Sequence, residues 1–161
     1  IDDGWPIFYA QERLGKGGEI YEIVKYRTMR RDAEADGKPQ LATEDDDRVT
    51  GIGRFMRRTH LDEFPQFINV LRGDMSLVGP RSERPEWVEH FQRRIPFYRA
   101  RLLVKPGITG WAQVNFGYAS NVDDTSMKLE YDLYYIKHRN FVLDILILLR
   151  TPSTMIGFKG Q

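Results

Sequence analysis

The chain opens on strand periodicity. In "PIFYAQERLGKGGEIYEIVKYRTM" apolar and polar residues broadly alternate, the pattern of half-buried strands, over Ile7 to Glu12 and again over Ile20 to Tyr26. Between them, Gly15-Lys16-Gly17-Gly18 supplies residues that accept positive φ, so the pair predicts a β-hairpin. The next stretch, "RRDAEADGKPQLATEDDDRVT", is polar, rich in Asp and broken by Gly37 and Pro39, and predicts a loop. The period then becomes helical: Phe64, Phe67, Ile68 and Leu71 recur at i, i+3, i+4, i+7, the stripe of a short helix burying one face, closed by Gly73. Pro65 is tolerated only in a first turn, which sets the start near Leu61 or Asp62 and puts Asp62 and Glu63 at the helix N-terminus.

Further along, "RPEWVEHF" predicts a helix from Arg84 to Phe91 with Pro85 at its start, Trp87 and Phe91 on one side, and Pro96 ending or bending it. "LVKPGITGWAQVNFGYA" is dense in glycine yet aromatic, and reads as an ordered loop with short extended pieces. Met127, Tyr131, Tyr134 and Tyr135 give a helix from Thr125 to Lys137, and "NFVLDILILLRTPSTMIGF" continues as an apolar helix stopped at Pro152. These elements make an α+β fold: a predominantly helical single domain over residues 1–161 with an N-terminal β-hairpin.

Composition narrows the function classes. The 24 basic and 23 acidic residues nearly cancel, so bulk charge does not mark a nucleic-acid binder. From His90 to Val122, however, there is no Asp or Glu, while Arg93, Arg94, Arg99, Arg101 and Lys105 fall there, an uneven distribution that predicts either anion binding or a solvated basic face. The absence of cysteine excludes disulfides and thiolate metal sites, and three scattered histidines argue against a zinc centre. The longest apolar run, Phe141 to Leu149, contains Asp144 and is far below the ~20 residues of a spanning helix. The chain begins without Met, and we read it as a piece of a longer protein.

The chemistry centres on "RRTHLDEFPQFINVLRGDMSLVGPRSERP". Acids in a first helical turn often do no more than oppose the macrodipole, a contribution of ~0.3–1 kcal/mol. Here Arg54, Arg57 and Arg58 precede the pair and Arg81 follows it, which suggests that carboxylates and guanidiniums converge as they would around a phosphate and a metal. Adjacent positions at a helix start diverge by about 100°. One carboxylate can therefore face phosphorus while its neighbour holds a cation that screens the approach of two anions.

The same stretch, with "VKPGITGWAQVN" and "YDLYYIKHRNFVLDILILLRT", strongly resembles the bacterial sugar transferase family, the monotopic polyprenyl-phosphate phosphoglycosyl transferases. The likeness extends to "PIFYAQERLGKGG" and "KYRTM". It implies transfer of a sugar-1-phosphate from a nucleoside-diphosphate sugar, a UDP-hexose by the family's habit, to undecaprenyl phosphate, initiating exopolysaccharide or O-antigen-type glycan synthesis. By the same resemblance Asp62 is the nucleophile that carries the phosphosugar, Glu63 binds Mg2+, and Arg81 clamps a phosphate, with Arg58 a second candidate. It further implies a membrane-surface enzyme on the cytoplasmic face of the bacterial inner membrane, preceded by a hydrophobic membrane segment that this sequence does not contain.

Two positions depart from the commonest family pattern: His60 stands where Ser or Thr is frequent, and Ser82 where proline is. Three side readings follow. "FVLDILILLR" with its basic and aromatic neighbours is either an interfacial amphipathic helix or a core helix. Trp111, Phe116 and Tyr118 either line a nucleobase or lipid pocket or belong to the core. His60 is either a proton shuttle or an incidental surface histidine. Two competing functions are an inactive or truncated scaffold of the glycan pathway and a basic nucleic-acid-binding module. The arginines are interleaved with acids and apolar stripes, which disfavours the latter. The sugar and the oligomeric state are not legible in the residues.

Overall fold

The computed structural model describes residues 4–33, 46–116 and 121–157. Two strands, β1 (Phe8–Leu14) and β2 (Ile20–Tyr26), pair antiparallel from Phe8 opposite Tyr26 to Leu14 opposite Ile20, and a 3-10 turn over Lys16–Gly18 joins them. The hairpin is as expected, with its first strand running two residues further, to Leu14, because that side chain is drawn into the core. Of the polar loop, residues 34–45 lie outside the described part; Met29 and Val49 bridge its described ends.

A helix that the sequence reading missed follows, α1 (Gly51–Arg58), capped by Thr50, whose hydroxyl accepts from the Gly53 amide at 3.0 Å. Gly53 is required there by proximity: a Cβ would lie 2.0 Å from the Thr28 carbonyl oxygen. The acid pair does not open the next helix as expected. It occupies its own 3-10 turn, Leu61–Glu63, entered through His60 in the left-handed conformation (φ 53°), and α2 (Gln66–Arg72) begins only after Pro65. Gly73 ends α2 at φ 87°, as its position implied.

The apolar stripe of α2 is the main reversal. Phe64, Phe67, Ile68 and Leu71 are exposed, Leu71 to 88%, while Gln66 and Asn69 are buried, Asn69 completely. The reason is a polar graft onto β2. The Asn69 side chain accepts from the Val24 amide at 3.0 Å and donates to the Glu22 carbonyl at 2.7 Å, satisfying main-chain groups on that strand.

Beyond α2, β3 (Ser76–Val78) pairs in parallel with β4 (Gly107–Thr109), and between them lie α3 (Pro85–Gln92) and a 3-10 turn over Tyr98–Leu103. The α3 helix starts at Pro85 and stacks Trp87 on Phe91, matching the expectation, and it ends before Pro96. The glycine-rich segment holds more than extended pieces: β4 is followed by a helix, α4 (Trp111–Asn115). Glycine there permits close approach, since a Cβ on Gly107 would lie 2.1 Å from the Gly79 amide nitrogen.

The last helices are α5 (Val122–His138), capped by Asn121, and α6 (Phe141–Gly157). Pro152 does not stop α6 but lies within it. Hydroxyls serve carbonyls around it: Thr151 donates to Ile147 at 2.8 Å and Ser153 to Arg150 at 2.7 Å. Two clusters form the core. Leu14, Val88, Ile95, Tyr98 and Leu129 join the hairpin to α3 and α5, and Val78, Val114, Tyr135 and Ile147 join β3 to α4, α5 and α6. The α6 helix is two-sided: Ile147 is fully buried, as the core reading expects, whereas Phe141, Val142 and Leu149 on the opposite face are exposed. Among the described residues no helix is long and apolar enough to cross a membrane.

Candidate active site

Strand alternation places Lys25 on the same side of β2 as buried Ile23, and Asn69 fastens α2 to that strand. The turn carrying the acids is thereby set beside Lys25. From the other direction, the "GPR" segment after β3 delivers Arg81. Glu63 lies between the two cations: Arg81 contacts it through Nη2 to Oε1 at 2.5 Å and Nη1 to Oε2 at 3.2 Å, a bidentate fork, while Lys25 Nζ donates to Oε1 at 3.2 Å. Burial pushes the Glu63 carboxyl up, yet Arg81 and Lys25 beside it hold it well below the usual carboxylate range.

Asp62 has the opposite surroundings. It is 9% exposed, and no described residue donates a hydrogen bond to its carboxylate. Burial first, then the neighbouring Glu63 charge, push its carboxyl above the ordinary aspartate value, against the pull of Lys25, Arg81 and Arg57. Two adjacent acids are thus driven apart: Glu63 is held ionised between two cations, and Asp62, without a donor among the described residues, is the more basic of the two. A raised pKa makes the ionised Asp62 oxygen a stronger nucleophile than an ordinary carboxylate.

The structure sorts the other sequence candidates. Arg58 is exposed at the end of α1 and makes no described contact with the acids. Arg57, one residue earlier, acts on Asp62 electrostatically and is oriented by its Nε bond to the Thr28 hydroxyl at 2.9 Å. Helical phase turns Arg57 inward and Arg58 outward, and without a predicted α1 that phase was not readable. Lys25 was also missed, although its spacing of two from Ile23 was a usable signal.

The acid-free run does not gather into a basic patch. Arg93 pairs with Glu89, Arg94 bonds His90, Arg99 bonds Gln92, and Arg101 is buried against Asp132. Trp111 stacks on Tyr134 with Arg150 over its ring, and Phe116 meets Tyr131, so both rings pack between helices; Tyr118 lies outside the described residues.

Whether the acids suit Mg2+ turns on their donors. Among the described residues no group of three His, Cys, Asp or Glu side chains is placed to hold a metal. Mg2+ needs fewer, because it is commonly held by one or two carboxylates with water and substrate phosphate oxygens completing its shell. Glu63 and Asp62 supply hard anionic oxygens of that kind; both Glu63 oxygens are engaged by Arg81 and Lys25, while the Asp62 carboxylate takes no donor among the described residues.

Residues 1–158 match the family model described as "Bacterial sugar transferase". The chain is 48% identical over 162 residues to a UDP-N-acetylgalactosamine-undecaprenyl-phosphate N-acetylgalactosaminephosphotransferase of Aeromonas hydrophila, covering 100% of this chain and 38% of that protein. Against a UDP-glucose:undecaprenyl-phosphate glucose-1-phosphate transferase of Escherichia coli K12 the identity is 43% over 157 residues, 96% of this chain and 32% of the relative. A protein of Caulobacter vibrioides bearing the same name is 40% identical over 160 residues, covering 97% of this chain and 59% of that relative. The chain therefore spans between about a third and three fifths of the length of these relatives. With the family match running across α1 to α6, the hairpin and both site acids, the chain belongs to the bacterial sugar transferase family.

Proposed function

We propose that the protein containing this chain transfers a sugar-1-phosphate from a UDP-sugar to undecaprenyl phosphate through a covalent aspartyl-phosphosugar intermediate, as the initiating step of exopolysaccharide or O-antigen-type synthesis. The observation that carries this reading is the geometry of the pair: Glu63 held by Arg81 and Lys25, and the adjacent Asp62 carboxylate without a donor among the described residues. A carboxylate oxygen of Asp62 attacks the phosphorus bearing the sugar. The bond from that phosphorus to the nucleoside monophosphate breaks, and the monophosphate leaves with the electron pair. A phosphate oxygen of the polyprenyl acceptor then attacks the same phosphorus, and Asp62 departs as carboxylate. No net proton is needed in either half.

Arg81 and Lys25 neutralise the approach of a diphosphate to an anionic site. Arg81 suits the phosphate clamp because its side chain is about a third exposed (37%) and its planar fork fits two phosphate oxygens as it fits Glu63. Mg2+ held by Glu63 would supply charge neutralisation at the leaving phosphate. The relatives' names pair UDP-sugars with undecaprenyl phosphate, which supports this donor and acceptor class without selecting the hexose.

An acceptor with a long polyprenyl chain resides in lipid, so the acids must work at a membrane surface. The exposed stripe Phe64, Phe67, Ile68 and Leu71 starts immediately after the acid pair, and we assign it to the lipid interface on the cytoplasmic side of the inner membrane. The test is release of UMP by the whole protein in membranes, supplied with Mg2+, undecaprenyl phosphate and a panel of UDP-sugars. Turnover with at least one sugar, lost in Asp62→Asn, is the expected result; normal turnover by the folded variant removes Asp62 from the role.

A further inference from the structure

Behind the Arg81 fork lies a second set of buried charges that the chemistry above leaves unused. The four carbonyls from Pro80 to Glu83 are each held from a different direction. Gly107 N donates to Pro80 O at 2.9 Å, Arg101 Nη2 to Arg81 O at 2.8 Å, Arg13 Nη1 to Ser82 O at 3.1 Å, and Leu14 N to Glu83 O at 3.0 Å. Two of the four clamps are arginine side chains. Both arginines also approach Glu83, each at 3.8 Å, and Lys128 helps hold that half-buried carboxyl ionised.

Arg101 is the centre of this arrangement. It is 5% exposed, its Nη1 donates to the Tyr98 hydroxyl at 2.7 Å, and its Nη2 reaches Asp132 of α5 at 2.9 Å as well as the Arg81 carbonyl. Asp132 is itself buried. A buried ion pair is a weak way to gain stability, because hydrophobic residues of similar volume often do as well. Its value here lies in direction. A planar guanidinium tied to Tyr98 through Nη1 and to Asp132 through Nη2 has the second Nη2 hydrogen aimed in a fixed direction, at the backbone of the residue whose own guanidinium holds Glu63.

We propose that Asp132, Arg101 and Tyr98 form a positioning latch that fixes the main chain at Arg81, and with it the base from which the Arg81 guanidinium reaches Glu63 or a substrate phosphate. The inference rests on the proposed role of the Asp62–Glu63 pair, and Asp132 and Arg101 act through Arg81 without touching substrate. A backbone shift of about 1 Å at a positioned group is enough to cost up to 100-fold in rate.

The experiment uses the whole protein in membranes, with UMP release measured as kcat and KM for the UDP-sugar and corrected for the folded fraction by thermal melting. Asp132→Asn keeps the shape and removes the charge. It is expected to lower kcat/KM about tenfold or more per folded molecule. In an Arg81→Lys background the same substitution is expected to cost about twofold or less, because the fork it positions is already gone. A purely structural role predicts the full loss in both backgrounds, and that result, or wild-type kinetics in folded Asp132→Asn, overturns the latch. Should Asp132→Asn fail to fold, Tyr98→Phe takes one bond from Arg101 while keeping the ring; a loss of about threefold that vanishes in Arg81→Lys supports the latch, and no loss overturns it. Asp62→Asn in parallel separates the two ideas. If it turns over normally while Asp132 and Arg81 remain coupled, the nucleophile is wrong and the latch stands.

Discussion

At the scale of single residues, the site depends on a burial penalty placed on one acid and relieved on its neighbour. Asp62 ionises near the ordinary value of about 3.9 when unfolded and at a higher pH when folded. Between those values the folded state binds more protons, so stability falls as pH rises through that window, and the penalty is complete above it. Asp62→Asn removes the penalty. Its melting temperature is expected to exceed that of the parent at neutral pH, with the gap closing on acidification, even as turnover is lost; an equal or lower value at neutral pH contradicts the burial account. Glu63 has the opposite sign. Its depressed value contributes stability that is present above the ordinary glutamate range and is lost as pH falls through the folded value. The identity of the two acids was legible in the sequence because their neighbours in the chain are distinctive. Their division of labour was not, since it is set by Lys25, 38 positions away, and by Arg81.

Among elements, α2 shows how far periodicity reaches. The spacing of Phe64, Phe67, Ile68 and Leu71 correctly located a helix and its glycine terminus, but periodicity gives the existence of two faces and not which one points inward. Three hydrogen bonds of the Asn69 side chain decided that: Oδ1 accepts from the Val24 amide, and Nδ2 donates to the Glu22 carbonyl on β2 and to Asp74 at 3.2 Å. Asn69→Ala takes the partners from a part-buried strand amide and strand carbonyl, and is expected to destabilise the fold by about 1–3 kcal/mol, read from the urea midpoint. A change below about 0.5 kcal/mol would show that α2 is held by other contacts. The hairpin, α3 and α5 were readable because their signals are local, namely alternation, Pro85 and tyrosine spacing. The α1 helix was hidden by its glycines, and Pro152 misled because α6 continues through it to Gly157.

Considered whole, the described molecule has an inward polar hub and an outward apolar border. The acids, Arg81, Arg101 and Asp132 are gathered between hairpin, α2 and α5, while Phe64, Phe67, Ile68 and Leu71 remain in the open. If that border rests on lipid, charge placed there weakens membrane binding without weakening the fold. Phe67→Glu with Leu71→Glu is expected to reduce flotation of the 161-residue chain with anionic lipid vesicles by about tenfold or more while leaving its melting temperature within a few degrees. Unchanged flotation would assign the stripe to another purpose.

The most direct measurement is mass spectrometry of the whole protein after incubation with its UDP-sugar and Mg2+ in the absence of acceptor, followed by proteolysis under conditions that preserve acyl phosphates. The account predicts a hexose-phosphate mass on the peptide carrying Asp62, lost on adding undecaprenyl phosphate and never formed in Asp62→Asn. Full turnover with that peptide unmodified at every time point, or the adduct on another residue, contradicts it.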